Sequence, residues 1–86
     1  MSSVNQALIT VLNAKKQADS ARDKALAAQA SALTAKIYNK YRMEPWAALP
    51  FYSESILAIR DSELDFSTTE WYLEAKHDYQ DLQRLQ

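Results

Sequence analysis

The one histidine in the chain, His77, stands in the run Glu74-Ala75-Lys76-His77. Di-iron helical bundles use that Glu-x-x-His spacing twice, because residues three apart share a helix face and can offer a carboxylate and an imidazole to one ion. A single copy is half a site. A symmetric dimer would supply the other half and Asp78 or Asp81 could assist, but the pattern shows no further glutamates facing inward. The run therefore reads as an exposed histidine on an acidic helix, with no metal and no cofactor expected.

Serine, threonine and tyrosine are plentiful, yet a hydroxyl nucleophile needs a base beside it and a third group to orient that base. The lone histidine has no identifiable companions of that kind. Glu63 and Asp65 form a carboxylate pair next to an expected helix end, where they read as solvated charges. Cysteine is absent, which removes thiolate chemistry, and glycine is absent, which argues against phosphate-cradling loops. The sequence thus points away from an enzyme.

Charge is divided unevenly. Residues 1–43 hold seven Lys or Arg against two Asp, whereas residues 44–86 hold three against nine acids, for a net charge of −1. Lys15, Lys16, Arg22, Lys24, Lys36, Lys40 and Arg42 could follow a phosphate backbone, which makes nucleic-acid association the alternative reading. They do not cluster on one face, the pI is about 5.7, and no recognition motif accompanies them. Pairing between the basic and acidic halves is the preferred explanation. Aromatic residues concentrate in the second half, and Trp46, Tyr72 and Tyr79 are candidates for contact with a partner, since Trp and Tyr are enriched at interface hot spots.

The elements that must position these groups are helical. From Val4 to Met43 an alanine recurs at every seventh position (Ala7, Ala14, Ala21, Ala28 and Ala35), and a second small-residue row comprises Val4, Val11, Ala18, Ala25 and Ala32. A sustained repeat of seven predicts one long helix, about 4–43, packed along its length in coiled-coil fashion on another helix. Lys15, Arg22, Lys24 and Lys36 flank this seam without an acid, so self-pairing would set base against base and the preferred partner surface is acidic. Ala14, Ala21, Ala28, Lys15 and Arg22 are accordingly candidate interface residues.

Pro45 is expected to end the long helix. Residues 44–49 read as a docked apolar linker, with Trp46 and Leu49 as its anchors. A second helix over about 50–64 starts with Pro50 in its first turn. A third, over about 68–85, opens on Ser67-Thr68-Thr69-Glu70, the pattern of a capping box, with Phe66 and Trp71 spaced as a hydrophobic staple.

At ~1.5 Å per residue the first helix would be ~60 Å long and the others only ~23–28 Å. Either the short helices lie in series along the long one, or part of the long helix is covered by another chain. The expectation is a single all-α domain over 1–86 that binds protein, as a subunit, adaptor or small inhibitor. Its partner would carry an acidic helical surface, and a second copy of the chain is one candidate.

The chain's 48% apolar and 24% charged residues suit a folded soluble protein. No apolar run approaches the ~18 residues of a membrane span. Nor does Met1-Ser2-Ser3-Val4-Asn5-Gln6 lead a basic stretch into an apolar one, so a cytoplasmic location is expected.

Overall fold

A computed structural model describes residues 2–85. It is all-α, with no strand among the described residues: α1 (Ser3–Ser20), α2 (Lys24–Lys36) running on into a π-helical turn (Ile37–Tyr41), α3 (Pro45–Arg60) and α4 (Glu70–Arg84).

The rod expected over 4–43 is two helices folded against each other. Ser2 caps α1 by accepting from the Asn5 amide at 3.2 Å. Eighteen residues later the helix closes in a Schellman motif, in which the Asp23 amide donates to the Ala18 carbonyl at 2.9 Å and the Arg22 amide to the Asp19 carbonyl at 3.1 Å. This motif requires a left-handed residue, and Arg22 occupies that position with φ 58°. Asp23 then turns extended and caps α2, its carboxylate accepting from the Leu26 amide at 3.1 Å.

Alanine's helix propensity favours running straight through this turn, but a straight rod leaves both rows of small residues open to water. The hairpin buries Leu8 and Val11 of α1 against Ile37, and Arg42 Nη1 donates to Asn5 Oδ1 at 2.6 Å, tying the start of α1 to the far end of α2. The longest dimension of the Cα trace is 37 Å, which leaves no room for a ~60 Å helix. The length mismatch that favoured helices in series or an exchanged dimer is thereby removed.

The second reversal follows the π turn. The Arg42 amide reaches back five residues to the Ile37 carbonyl at 2.9 Å and the Glu44 amide reaches six to Tyr38 at 2.8 Å, around Met43 at φ 55°. Glu44, at φ −121° and ψ 69°, lies outside the α region that a following proline disfavours, and Pro45 is the first residue of α3. Residues 44–49 are therefore mostly helix rather than linker. Pro50 lies inside α3, where it removes a helical donor that the sequence reading had placed harmlessly at a helix start.

α4 begins at Glu70. Thr69 occupies its cap position without a side-chain cap bond, so the capping box is not formed. The Phe66 and Trp71 rings do meet, edge to face at 5.6 Å, but with Trp71 at the second helical position and not the fourth that a staple uses. The Ser67 amide donates instead to Asp65 Oδ1 at 3.0 Å, and that bond holds the Asp65 carboxyl below its ordinary range.

α2 is the centre of the molecule. Ala28, Ala32 and Ala35 face α3 and α4 across Tyr52, Ala48 and Ala75, while Ala30 is also buried. Small side chains allow the backbones to approach closely enough for Ser55 Oγ on α3 to donate to the Ala28 carbonyl at 2.7 Å. The seam's expected close packing is present in its α2 half, with α3 of the same chain as its occupant, whereas in the first half Ala7 and Ala21 are exposed.

Candidate interaction surface

Two of the four basic flanks of the seam, Lys15 and Lys36, find acids within the chain, as does Lys40. Lys15 Nζ lies 2.8 Å from Glu54 and 3.1 Å from Asp19, Lys36 Nζ 2.9 Å from Glu74, and Lys40 Nζ 3.1 Å from Asp78. Hydrogen bonding to Glu54 holds the Lys15 ammonium above its usual range despite partial burial, and Glu74 does the same for Lys36. The two oppositely charged halves therefore pair with each other, and the acidic surface inferred for a partner is supplied by α3 and α4.

The eight candidate interface residues do not come together. Ala28 is buried beneath α3, Ala14 and Lys15 are half-buried, and Ala21 and Arg22 are exposed at the α1–α2 turn. A cleft of about 410 Å³ opens beside that turn, floored by Ala18, Ala27 and Ala28 and rimmed by Asp19, Arg22 and Glu54. Tyr72 belongs to the core beside Ala28 and Ile59, its ring edge-to-face with those of Phe66 and Trp71, and Tyr79 is half-buried against Tyr52's cluster. The Tyr72 ring is also covered by Lys76, whose Nζ lies 5.4 Å from its centroid, whereas Tyr79 keeps part of its surface open.

Trp46 is different. It is 69% exposed at the start of α3, and Tyr41 and Met43, 63% and 72% exposed, precede it within six positions. The three large apolar side chains mark the corner where the π turn hands over to α3. Polar bonds fix that corner: Arg42 Nε pairs with Glu44 at 2.6 Å, its Nη1 takes Asn5, and its guanidinium lies 5.7 Å from the Tyr38 ring centroid. Tyr38 in turn stacks on Phe51 at 5.6 Å and 13°.

The sequence reading makes Trp46 both a docked anchor of residues 44–49, which its exposure contradicts, and a candidate for partner contact, and it singles out neither Tyr41 nor Met43. A π turn and a left-handed methionine carry no sequence signal comparable to a glycine's.

Among the described residues no helix is long and apolar enough to cross a membrane. No family model, curated protein or solved structure matches the chain.

Proposed function

We propose that this chain is a non-enzymatic protein–protein interaction module, a subunit or small adaptor or inhibitor, that binds through the Tyr41–Met43–Trp46 corner. The observation that carries this reading is the exposure of three large apolar side chains on a bonded, rigid corner, the arrangement that suits a hot spot. It is supported by what lies inside. Beside Tyr52, the largest fully buried side chains are Thr34, Ser31 and Ser55, while Ile9, Leu26, Leu33 and Leu85 join Tyr41, Met43 and Trp46 among the exposed large apolar residues.

The partner is one offering an apolar surface, with a second copy of this chain among the candidates. An acidic helical partner draws less support than in the sequence reading, because Lys15 and Lys36, two of the four flanking bases, are paired within the chain. Nucleic-acid binding loses support for the same reason: of the seven bases in the first half, Lys15, Lys36, Lys40 and Arg42 are each in an ion pair with an acid of the second half.

A photo-crosslinking benzophenone residue in place of Trp46, irradiated in the pure chain and in its source cells, tests the proposal. A discrete adduct from position 46, of twice the chain's mass or of a defined larger mass, is expected, with none from the same residue at the exposed Gln80 on α4. No adduct from position 46, or the same adducts from both positions, would overturn it.

A further inference from the structure

We propose that His77, Asp78 and Asp81 on α4 form a binding site for a divalent cation of the zinc class. His77 and Asp81 are one helical turn apart and so share a face, and Asp78 is the residue between that face and the core. His77 Nδ1 lies 3.5 Å from Asp81 Oδ2 and 3.6 Å from Asp78 Oδ1, and one ligand atom from each of the three falls within 4.8 Å of the others. Zinc bonds of ~2.0–2.2 Å in tetrahedral geometry place neighbouring ligand atoms ~3.3–3.5 Å apart. Both histidine–carboxylate edges therefore stand near the required length, and closure needs only the two carboxylates to draw together.

The buried carboxylate gives a separate reason. Asp78 is only 8% exposed, and its Oδ2 is held by the exposed Lys40 Nζ at 3.1 Å and, from the core, by the Tyr52 hydroxyl at 3.4 Å. Its Oδ1 turns outward to His77 Nδ1 at a distance beyond hydrogen-bonding reach. Burying a carboxylate is costly, and this one keeps an oxygen aimed at an imidazole and a second carboxylate. Lys40 and Tyr52 are positioned as the outer groups that orient a ligating carboxylate, and Arg84 Nη1, 3.5 Å from Asp81 Oδ1, stands in the same relation to the other.

An imidazole with two carboxylates favours zinc-like ions over calcium or magnesium, which take oxygen ligands in larger number or stricter geometry. With three ligands from the chain, one position is left to water or to a group from a partner. Glu74, the glutamate of the Glu-x-x-His run, is not a member: its carboxylate is turned to Lys36 at 2.9 Å and does not converge with the other three groups.

His77 is the sole histidine, so its ring resonances report on this site alone. Zn²⁺ titrated into the full chain near neutral pH is expected to shift them saturably at one ion per chain, while Mg²⁺ leaves them unmoved. Asp81→Asn should weaken Zn²⁺ binding about tenfold or more. Glu70→Gln, which removes an equal charge from the same helix outside the cluster, should change affinity by less than about twofold. A ring unmoved by Zn²⁺, or an Asp81→Asn chain that binds Zn²⁺ as tightly as the unsubstituted one, would overturn the proposal, the latter by showing a lone histidine contact.

Discussion

Tyr52 and Ser55 show how single groups set this core. Tyr52 is 1% exposed, and burial, with Asp78 nearby, pushes its hydroxyl up to about 12. A folded-state value above the unfolded one of about 10 means that the native chain holds this proton more tightly. Stability from Tyr52 is therefore whole below about pH 10 and falls as pH rises from there towards 12, by roughly 2–3 kcal/mol in all. Lys15 and Lys36, raised by their acids, lose their contributions in the same direction just above the ordinary lysine range. Urea midpoints measured between about pH 9 and about pH 11.5 should thus decline, and Tyr52→Phe should flatten most of that decline while costing within about 1 kcal/mol at neutral pH. Ser55→Ala should cost about 1 kcal/mol through the lost bond to the Ala28 carbonyl, and Ser55→Leu roughly 2–3 kcal/mol by forcing α2 and α3 apart. Thermal unfolding of the pair reads both.

At the scale of elements, the two reversals explain why the fold departs from a rod. Each needs a left-handed residue, and a chain without glycine assigns the task to Arg22 and Met43. Arg22→Gly should stabilise the protein by up to about 1 kcal/mol, because the left-handed conformation penalises a side chain bearing Cβ. Asp23→Ala, one residue on, should destabilise by about 1 kcal/mol through loss of the α2 cap. Opposite signs at adjacent exposed positions, measured by denaturant unfolding, would be hard to produce from a continuous helix, in which the Gly substitution would be the damaging one. Aspartate is a good helix cap, but Asp23 lies within a seven-residue repeat that continues across the turn, and hairpin packing and rod packing ask for small residues at the same spacing, so the repeat does not reveal the break.

Over the whole molecule, apolar bulk and burial are poorly matched. The accessible surface, 5736 Å², is about a tenth above the ~5,200 Å² expected of a compact monomer of this mass. The surplus fits a body whose tryptophan, methionine and several leucines stand outward. Association through the Tyr41–Met43–Trp46 corner, with a second copy or with another protein, should persist in about 1 M salt, since apolar burial is not screened as ion pairs are. Light scattering over a concentration series at low and high salt checks this for the pure chain. A joint Met43→Ser and Trp46→Ser replacement should remove the association while shifting unfolding by less than about 1 kcal/mol, as both side chains are exposed.

The sequence alone determined the all-α class, the end of the first helical region before Pro45, the Phe66–Trp71 contact and the pairing of a basic half with an acidic one. Each rests on local chemistry: an absent glycine, a proline ring, a fixed spacing, a charge count. Tertiary structure decided what the small-residue seam packs against, that Tyr72 is core and Trp46 is surface, and that His77 faces Asp81 rather than Glu74. A repeat records that a helix face will be covered but not by which neighbour. One tight turn at Ala21-Arg22-Asp23, costing about a kilocalorie in backbone conformation, was enough to exchange an outside partner for the chain's own third helix.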